Sequence, residues 1–254
     1  MRNAISRYPL LSFVVIAFGW TWPFAALIER SMVFPLLALF GPTIAALAVI
    51  YARGGRPGIS ELVGRFRPSF KSIYWYILAA LLPLFLLLPQ WLLHRWFWGT
   101  AAFEMNPISV LSVVIAALIV GEEIGWRGFL LPYLLERHSP LVSSVIVGII
   151  WAVWHVPNFL LPAYHHYELP FAAFAITTTA FSILFAWFHL NCAGSLLIAV
   201  IFHAALNLFS LSGLDPTAQI WSKAAIYTLT ALTIIVFAKE VRDRGPSPSA
   251  NNRF

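Results

Sequence analysis

Three short segments place glutamate, histidine and asparagine inside stretches that are otherwise apolar. Together with one arginine, the side chains concerned are Glu122, Glu123, Arg127, His155, His203 and Asn207. A glutamate in a poorly solvated site can act as a general base on water, and histidine and asparagine can donate hydrogen bonds to a developing oxyanion. The residue types therefore indicate hydrolysis by an activated water molecule.

The spacing within the first and third segments suggests separate tasks for these side chains. Glu123 and Arg127 are four residues apart with the acid first, which favours a structural ion pair on a helix. Glu122 points about 100° away from Glu123 around a helix, so it is the carboxylate left for chemistry. His203 and Asn207 are also four residues apart and share one helical face.

Two other kinds of chemistry were compared with water activation. Glutamate and histidine also bind zinc, so a zinc ion held by Glu122, His155 and His203 stays open, although asparagine is an unusual zinc ligand. The sequence contains no His-Glu-x-x-His motif and no Gly-x-Ser-x-Gly elbow. The single cysteine, Cys192, is interpreted as a structural thiol. Serine and cysteine mechanisms therefore have little support.

The composition requires that these residues be positioned by membrane helices. Of 254 residues, 60% are hydrophobic and 10% are charged, whereas about a quarter of the residues of a soluble domain are charged. This excludes an ordinary soluble enzyme, a disordered chain and a fibrous repeat. We predict an all-α polytopic membrane protein. Its eight predicted spans are 9–27, 33–51, 72–93, 108–126, 141–161, 171–190, 193–211 and 220–238.

The distribution of basic residues predicts the orientation of these spans. With the N-terminus inside, the inner segments contain Arg2, Arg7, Arg53, Arg56, Arg65, Arg67, Lys71, Arg137, Lys239, Arg242, Arg244 and Arg253. The outer loops contain only Arg30, Arg95 and Lys223. This bias predicts that both termini are cytoplasmic. The basic loop 53–71 would then face anionic lipid, and nucleic acid is not expected as a partner.

The fourth span must be longer than its apolar run if the polar residues are to lie at one depth. A helix that continues through Arg127 to about Glu136, after a cap at Asn106, would bring Glu122 level with His155, which follows a cap at Ser139. We expect Pro132 to bend this helix, with Gly128 relieving the steric clash of the ring. We also expect the site to open towards the cytoplasm.

In order and spacing, the three segments resemble the motifs of the CPBP family, which comprises the CAAX prenyl protease and bacteriocin-processing intramembrane endopeptidases and is also called the Abi family. The resemblance covers about residues 108–209. It implies that Glu122 and His155 activate water, that His203 and Asn207 stabilise the oxyanion, and that Glu123 and Arg127 support them. Trp151 stands where the family more commonly has phenylalanine. We expect this aromatic to pack, so that the change affects substrate shape more than chemistry.

The sequence therefore predicts one integral membrane domain over 1–244, with its catalytic core at about 108–209 and a disordered tail at 245–254. The expected function is an intramembrane endopeptidase of the cell membrane that acts on a peptide or protein, lipid-modified or not. A small transporter or proton-coupled carrier is the first alternative, because buried glutamate and histidine also relay protons. A non-catalytic scaffold or immunity protein is the second. The sequence specifies neither the substrate, the metal dependence nor the oligomeric state.

Overall fold

The computed structural model of the protein describes residues 2–31, 33–68, 73–99, 102–242 and 245. Within these residues every regular element is a helix, and a single bridge between Met105 and Leu211 is the one β-type pairing. The elements are α1 (Arg2–Arg7), α2 (Pro9–Ala25), α3 (Val33–Ala38), α4 (Gly41–Gly64), α5 (Ile73–Trp98), α6 (Val110–Leu118), α7 (Val120–Gly125), a π-helical segment (Trp126–Leu130), α8 (Leu131–Leu135), α9 (Pro140–Trp154), α10 (Pro157–Leu160), α11 (Phe171–Asn191), α12 (Leu196–Leu208), α13 (Pro216–Phe237) and α14 (Lys239–Arg242). The predicted all-α class is confirmed.

Several helices are long and apolar enough to cross a membrane. Four segments of the described chain meet both criteria: Val33–Gly64, Ile73–Trp98, Phe171–Asn191 and Pro216–Phe237. Three shorter apolar helices are α2, α9 and α12. The multi-pass character is therefore confirmed, whereas the count of eight spans and the cytoplasmic position of the termini stay predictions. The predicted tail lies outside the described residues apart from Gly245, and Lys71, Arg244 and Arg253 lie outside them too.

Residues 53–64 of the predicted basic loop 53–71 are helical, because α4 continues as far as Gly64. The chain leaves helical geometry only at Gly55, whose φ of 59° and ψ of −150° are readily adopted by glycine. Pro57 follows in the first turn after this break, where its missing N–H costs no helical hydrogen bond. The result is a kinked helix that carries its basic residues beyond the apolar part.

The fourth predicted span is long, as expected. Helical structure runs from Val110 to Leu135, with a turn at Ile119 and the π-helical segment before Pro132. Pro132 has no N–H to donate to the carbonyl of Gly128, and the guanidinium of Arg65 donates to that oxygen at 3.2 Å. The span therefore reaches α8 without leaving this backbone oxygen unpaired.

The two predicted helix caps have different outcomes. Ser139 caps α9 through its side chain, which accepts a hydrogen bond from the backbone N–H of Val142, as predicted. Asn106 does not cap α6, because Ser109 and Ser112 form a capping box there instead. The Asn106 amide donates to Ser210 and to the carbonyl of Leu211. It therefore ties the segment before α6 to the segment after α12.

The helices pack so that the three motif segments share one core. α9 packs on α11, α12 packs on α5 and α6, and α4 packs on α7. The largest fully buried side chains of the described residues include Phe13, Trp126, Phe129, Phe185 and Phe202. This aromatic packing surrounds the segment that carries the glutamates.

Candidate active site

Glu122 lies on α7 with only 4% of its surface exposed. Its Oε2 accepts a hydrogen bond of 2.9 Å from the indole N–H of Trp151 on α9. None of the described residues donates to its Oε1, and that oxygen is available to a water molecule. Glu122 is thus joined to the segment that ends in His155, as the sequence predicted for the two motifs.

Glu123 is completely buried and binds two partners through one oxygen. Its Oε1 accepts from Arg127 Nη1 at 2.9 Å and contacts Nδ1 of His203 at 2.7 Å. The predicted pair of Glu123 and Arg127 is confirmed. The bond to His203 was not predicted, and it connects the first motif to the third.

Arg127 is also buried, and aromatic rings flank its guanidinium group. The guanidinium carbon lies 4.5 Å from the ring centroid of Trp151 and 3.5 Å from that of Phe185. Its Nε and Nη2 have no hydrogen-bond partner among the described residues. A cation held over aromatic faces gains electrostatic stabilisation where water is excluded, so the two rings compensate for part of the missing hydrogen bonds.

His155 is the C-cap residue of α9 and is half-buried. Its Nδ1 lies 2.9 Å from the backbone oxygen of Trp151. A carbonyl oxygen only accepts, so Nδ1 carries the proton and Nε2 of the neutral ring is left as an acceptor. Trp154 and Phe174 meet the ring edge-on at 4.6 and 5.0 Å. The ring is therefore held in one orientation with its basic nitrogen unused.

His203 lies on α12. Its Nδ1 contacts a carboxylate, whereas Nδ1 of His155 contacts a backbone carbonyl oxygen. Its Nδ1 is bonded to Glu123, and its ring meets Trp151 edge-on at 5.2 Å and Phe185 at 5.8 Å. A carboxylate only accepts, so the proton of the neutral ring lies on Nδ1. Nε2 of His203 then remains for a substrate.

Asn207 is a predicted site residue whose side chain has no hydrogen bond to the side chains of the other site residues, all of which the structure describes. It is exposed, and its Nδ2 donates to the carbonyl of His203 one turn earlier at 3.0 Å. Among the described residues no hydrogen bond joins its side chain to Glu122 or His155. Because an amide nitrogen carries two hydrogens, one of them remains free for a ligand.

The segment between Gly121 and Gly125 brings the glutamates close to α4. A side chain at Gly125 would overlap Pro42, and one at Gly121 would lie 3.0 Å from the ring of Phe40. Thr43 Oγ1 also donates to the carbonyl of Gly121. The π-helical segment that follows is a feature often found at functional sites. Backbone contact with α4 thus positions the two carboxylates.

The loop after α10 adds two histidines near His155. The rings of His165 and His166 lie 3.9 Å apart, and His166 packs on Phe174, which also contacts His155. Burial lowers the pKa of His166 to about 3, and the positive charges of nearby groups act in the same direction. Partial burial of its ring lowers the pKa of the more exposed His165, and the charge of Lys223 acts in the same direction. Both rings are therefore neutral near pH 7.

The donors do not form a ready metal site. Nowhere in the described part of the chain do three His, Cys, Asp or Glu side chains converge as a metal ion requires. The Nδ1 atoms of His155 and His203 and one oxygen of Glu122 have protein partners, which leaves both Nε2 atoms and the other carboxylate oxygen as donors. The described side chains are therefore not gathered as a three-ligand zinc site, and metal binding by Glu122, His155 and His203 stays a prediction.

Sequence reasoning missed the part that Trp151 takes in this site. Its indole N–H, backbone oxygen and ring contact Glu122, His155, His203 and Arg127. The available signal was an indole N–H inside an apolar span, where a polar group needs a partner.

Comparison with known proteins finds a family match over the part of the chain that contains the three motifs. Residues 103–209 match a family model described as Rce1-like, type II CAAX prenyl endopeptidase. This match confirms the resemblance seen in the three motifs, and it covers nearly the same residues. CAAX prenyl protease 2 of Methanococcus maripaludis is 28% identical over 152 residues, which cover 57% of this chain and 55% of that protein. Lysostaphin resistance protein A of Staphylococcus haemolyticus is 26% identical over 222 residues, which cover 82% of this chain and 57% of that protein. The chain thus spans little more than half of each relative.

Proposed function

We propose that the protein is an intramembrane endopeptidase of the CAAX protease type. The observation that carries this proposal is the buried Glu122, whose one oxygen is held by Trp151 while the other is left for water. The match of residues 103–209 to the CAAX endopeptidase family supports it. A single membrane domain over 1–244, with 108–209 as its catalytic core, is part of the proposal.

In the proposed reaction Glu122 and His155 activate the attacking water. The free oxygen of Glu122 and Nε2 of His155 are both acceptors, so either can take the proton as the water oxygen bonds to the scissile carbonyl carbon. The electron pair of the carbonyl double bond moves to its oxygen. When the carbon–nitrogen bond breaks, the same proton passes to the leaving amine. The products are a carboxylic acid and an amine.

His203 and Asn207 stabilise the oxyanion in this scheme. With Nδ1–H of His203 directed at Glu123, donation from Nε2 requires the protonated ring. Asn207 supplies its second amide hydrogen. Each such donor typically contributes about 10²–10³-fold to the rate.

No step of this scheme uses a metal ion, because the described donors do not converge on one point. Metal dependence is tested separately from the role of Glu122. Purified protein is incubated with a peptide library with and without a chelator. Cleavage that persists with the chelator supports the water-activation scheme, whereas chelator-sensitive cleavage restored by zinc contradicts it.

The proposed activity is tested by Glu122→Ala in the same assay. We expect the variant to insert normally and to lose cleavage, whereas Glu61→Ala, which removes an exposed carboxylate paired with Arg65, keeps it. Full activity of Glu122→Ala would overturn the assignment. Substrate-dependent uptake into liposomes without cleavage would favour the carrier alternative.

The substrate class is proposed to be a peptide or protein. One relative is named CAAX prenyl protease 2, which motivates a comparison of prenylated and unmodified forms of each cleaved peptide. A preference for the prenylated form would identify a lipid-modified substrate. Equal rates would identify the peptide alone as the recognised part.

We also propose that the protein lies in the cell membrane and that its site opens at the end of the bundle where α9 and α12 end. In support, His155 caps the end of α9 and Asn207 lies in the last turn of α12. Arg137 precedes α9, a helix of 15 residues, and is therefore about 22 Å from His155 along the axis. If Arg137 is cytoplasmic, as its charge predicts, this opening faces the other side of the membrane. That differs from the cytoplasmic opening expected from the sequence.

Single cysteines test this direction. Cys192 is buried, and it is replaced by serine before cysteine is introduced at the exposed positions His138 or His165. An impermeant maleimide added to intact cells should label His165→Cys and should label His138→Cys only after permeabilisation. The reverse pattern would support a cytoplasmic opening.

A further inference from the structure

Trp151 lies in an apolar helix, yet it forms hydrogen bonds with two residues of the candidate site. Its side chain is 3% exposed, and it lies one helical turn before His155. The indole N–H donates to Glu122 Oε2 at 2.9 Å, while the backbone oxygen of Trp151 accepts from His155 Nδ1 at 2.9 Å. One residue thus orients both groups that are proposed to activate water.

The ring of Trp151 also contacts both partners of Glu123. Arg127 lies over one face of the ring, with its guanidinium carbon 4.5 Å from the centroid, and His203 meets the ring edge-on. Glu123 pairs with Arg127 and His203, whereas Glu122 pairs with the indole N–H. The indole thus binds Glu122, while its ring contacts the two groups that bind Glu123.

The hydrogen bond also selects which oxygen of Glu122 can react. An indole nitrogen only donates, so it occupies Oε2 and leaves Oε1 for the proton of a water molecule. Without the bond, the carboxylate could rotate about its terminal torsion, which has broad energy wells. Phenylalanine would preserve most of the ring contacts but has no N–H.

We propose that Trp151 is a positioning residue that holds Glu122 by its indole N–H with one oxygen directed at the attacking water. This inference rests on the proposed function. It adds a chemical role to a position where the sequence predicts packing, and it explains why this chain uses tryptophan in place of the phenylalanine more common in the family.

The test is the kinetics of Trp151→Phe on a cleaved peptide. We expect kcat to fall about tenfold or more, the effect of losing one hydrogen bond to a charged group, while KM stays unchanged. A residue that only packs or shapes the substrate pocket would instead change KM and the order of preference among peptides. An unchanged kcat, or a loss confined to KM, would overturn the proposal.

Trp187→Phe is the matched control. Trp187 donates its indole N–H to Glu240 Oε1 at 3.1 Å, so this variant also loses an indole–carboxylate bond, but outside the candidate site. Its kcat should equal that of the unmodified protein. Equal losses in both variants would show a general effect on stability and would overturn the positioning role.

Glu122→Ala, measured in parallel, distinguishes this proposal from the proposed function. If Glu122→Ala is inactive and Trp151→Phe is fully active, only the positioning role fails. If Glu122→Ala remains active, the proposed function fails first. Thermal unfolding of Trp151→Phe in detergent confirms that the tested protein is folded.

Discussion

Two clusters in the molecule are built from the same three residue types. In the candidate site an indole donates to Glu122 and Asn207 donates to the carbonyl four residues earlier. At the junction of α11 and α14, Trp187 donates to Glu240 and Asn191 donates to the carbonyl four residues earlier. The same interactions thus occur both inside the core and at its periphery.

The clusters differ in what they leave unpaired. Asn191 uses its side-chain nitrogen twice, since it also donates to Glu240 Oε1 at 2.9 Å, and its carboxylate partner is only half-buried. In the site, one oxygen of Glu122 and one amide hydrogen of Asn207 have no partner among the described residues. The Asn191 amide, with two acceptors, ties a helix end, whereas the Asn207 amide keeps a hydrogen that can bind a substrate.

The largest difference between the clusters should appear when a carboxylate is removed. Glu123→Ala leaves Arg127 charged and buried without a carboxylate, so the free energy of unfolding should fall by about 3–5 kcal/mol. Glu240→Ala removes a carboxylate that is near solvent and should cost much less. Denaturant unfolding in detergent measures both variants. Similar losses would mean that the arginine is stabilised mainly by the two aromatic rings.

The two asparagines should differ in their effect on catalysis. Asn207→Ala should lower kcat about 10²-fold, because it removes one donor to the oxyanion, with little change in KM. Asn191→Ala should leave kcat unchanged, although it loses the same bond to the carbonyl four residues earlier. Steady-state kinetics on one peptide compares them, and equal kcat values would exclude an oxyanion role for Asn207.

The smallest effect should be the pH dependence of stability that comes from the cluster of Trp187, Asn191 and Glu240. The hydrogen bond from Asn191, with one from Trp187, lowers the pKa of Glu240 from its ordinary value of 4.5. Its contribution to stability is therefore present above pH 4.5 and is lost as the pH falls through the lowered pKa. Because solvent screens this group, the unfolding temperatures of Glu240→Gln and the unmodified protein should differ by about one or two degrees above pH 5. The two should converge in acid, and a gap that widens in acid would contradict this.

Local patterns in the sequence predicted several local features correctly. The pair of Glu123 and Arg127, the cap at Ser139 and the helical course as far as α8 all depend on residues within a few positions of each other. Such spacings determine which groups share a helical face. They are therefore readable without a structure.

Contacts between distant residues could not be predicted in this way. The bond between Glu123 and His203 joins positions 80 residues apart, and that between Glu122 and Trp151 joins positions 29 apart. Asn106 was expected to cap a helix, but its amide binds the segment after α12, about 100 residues later. These outcomes depend on how helices pack, which the helical period alone leaves open.

The close approach at Gly125 has a consequence for which positions tolerate substitution. A methyl group there would overlap Pro42, so even alanine must push α4 away from α7. In chains that diverge from this one, a larger residue at position 125 must be accompanied by a change in α4. The distance between two backbones, and not any catalytic group, therefore limits how this part of the sequence can vary.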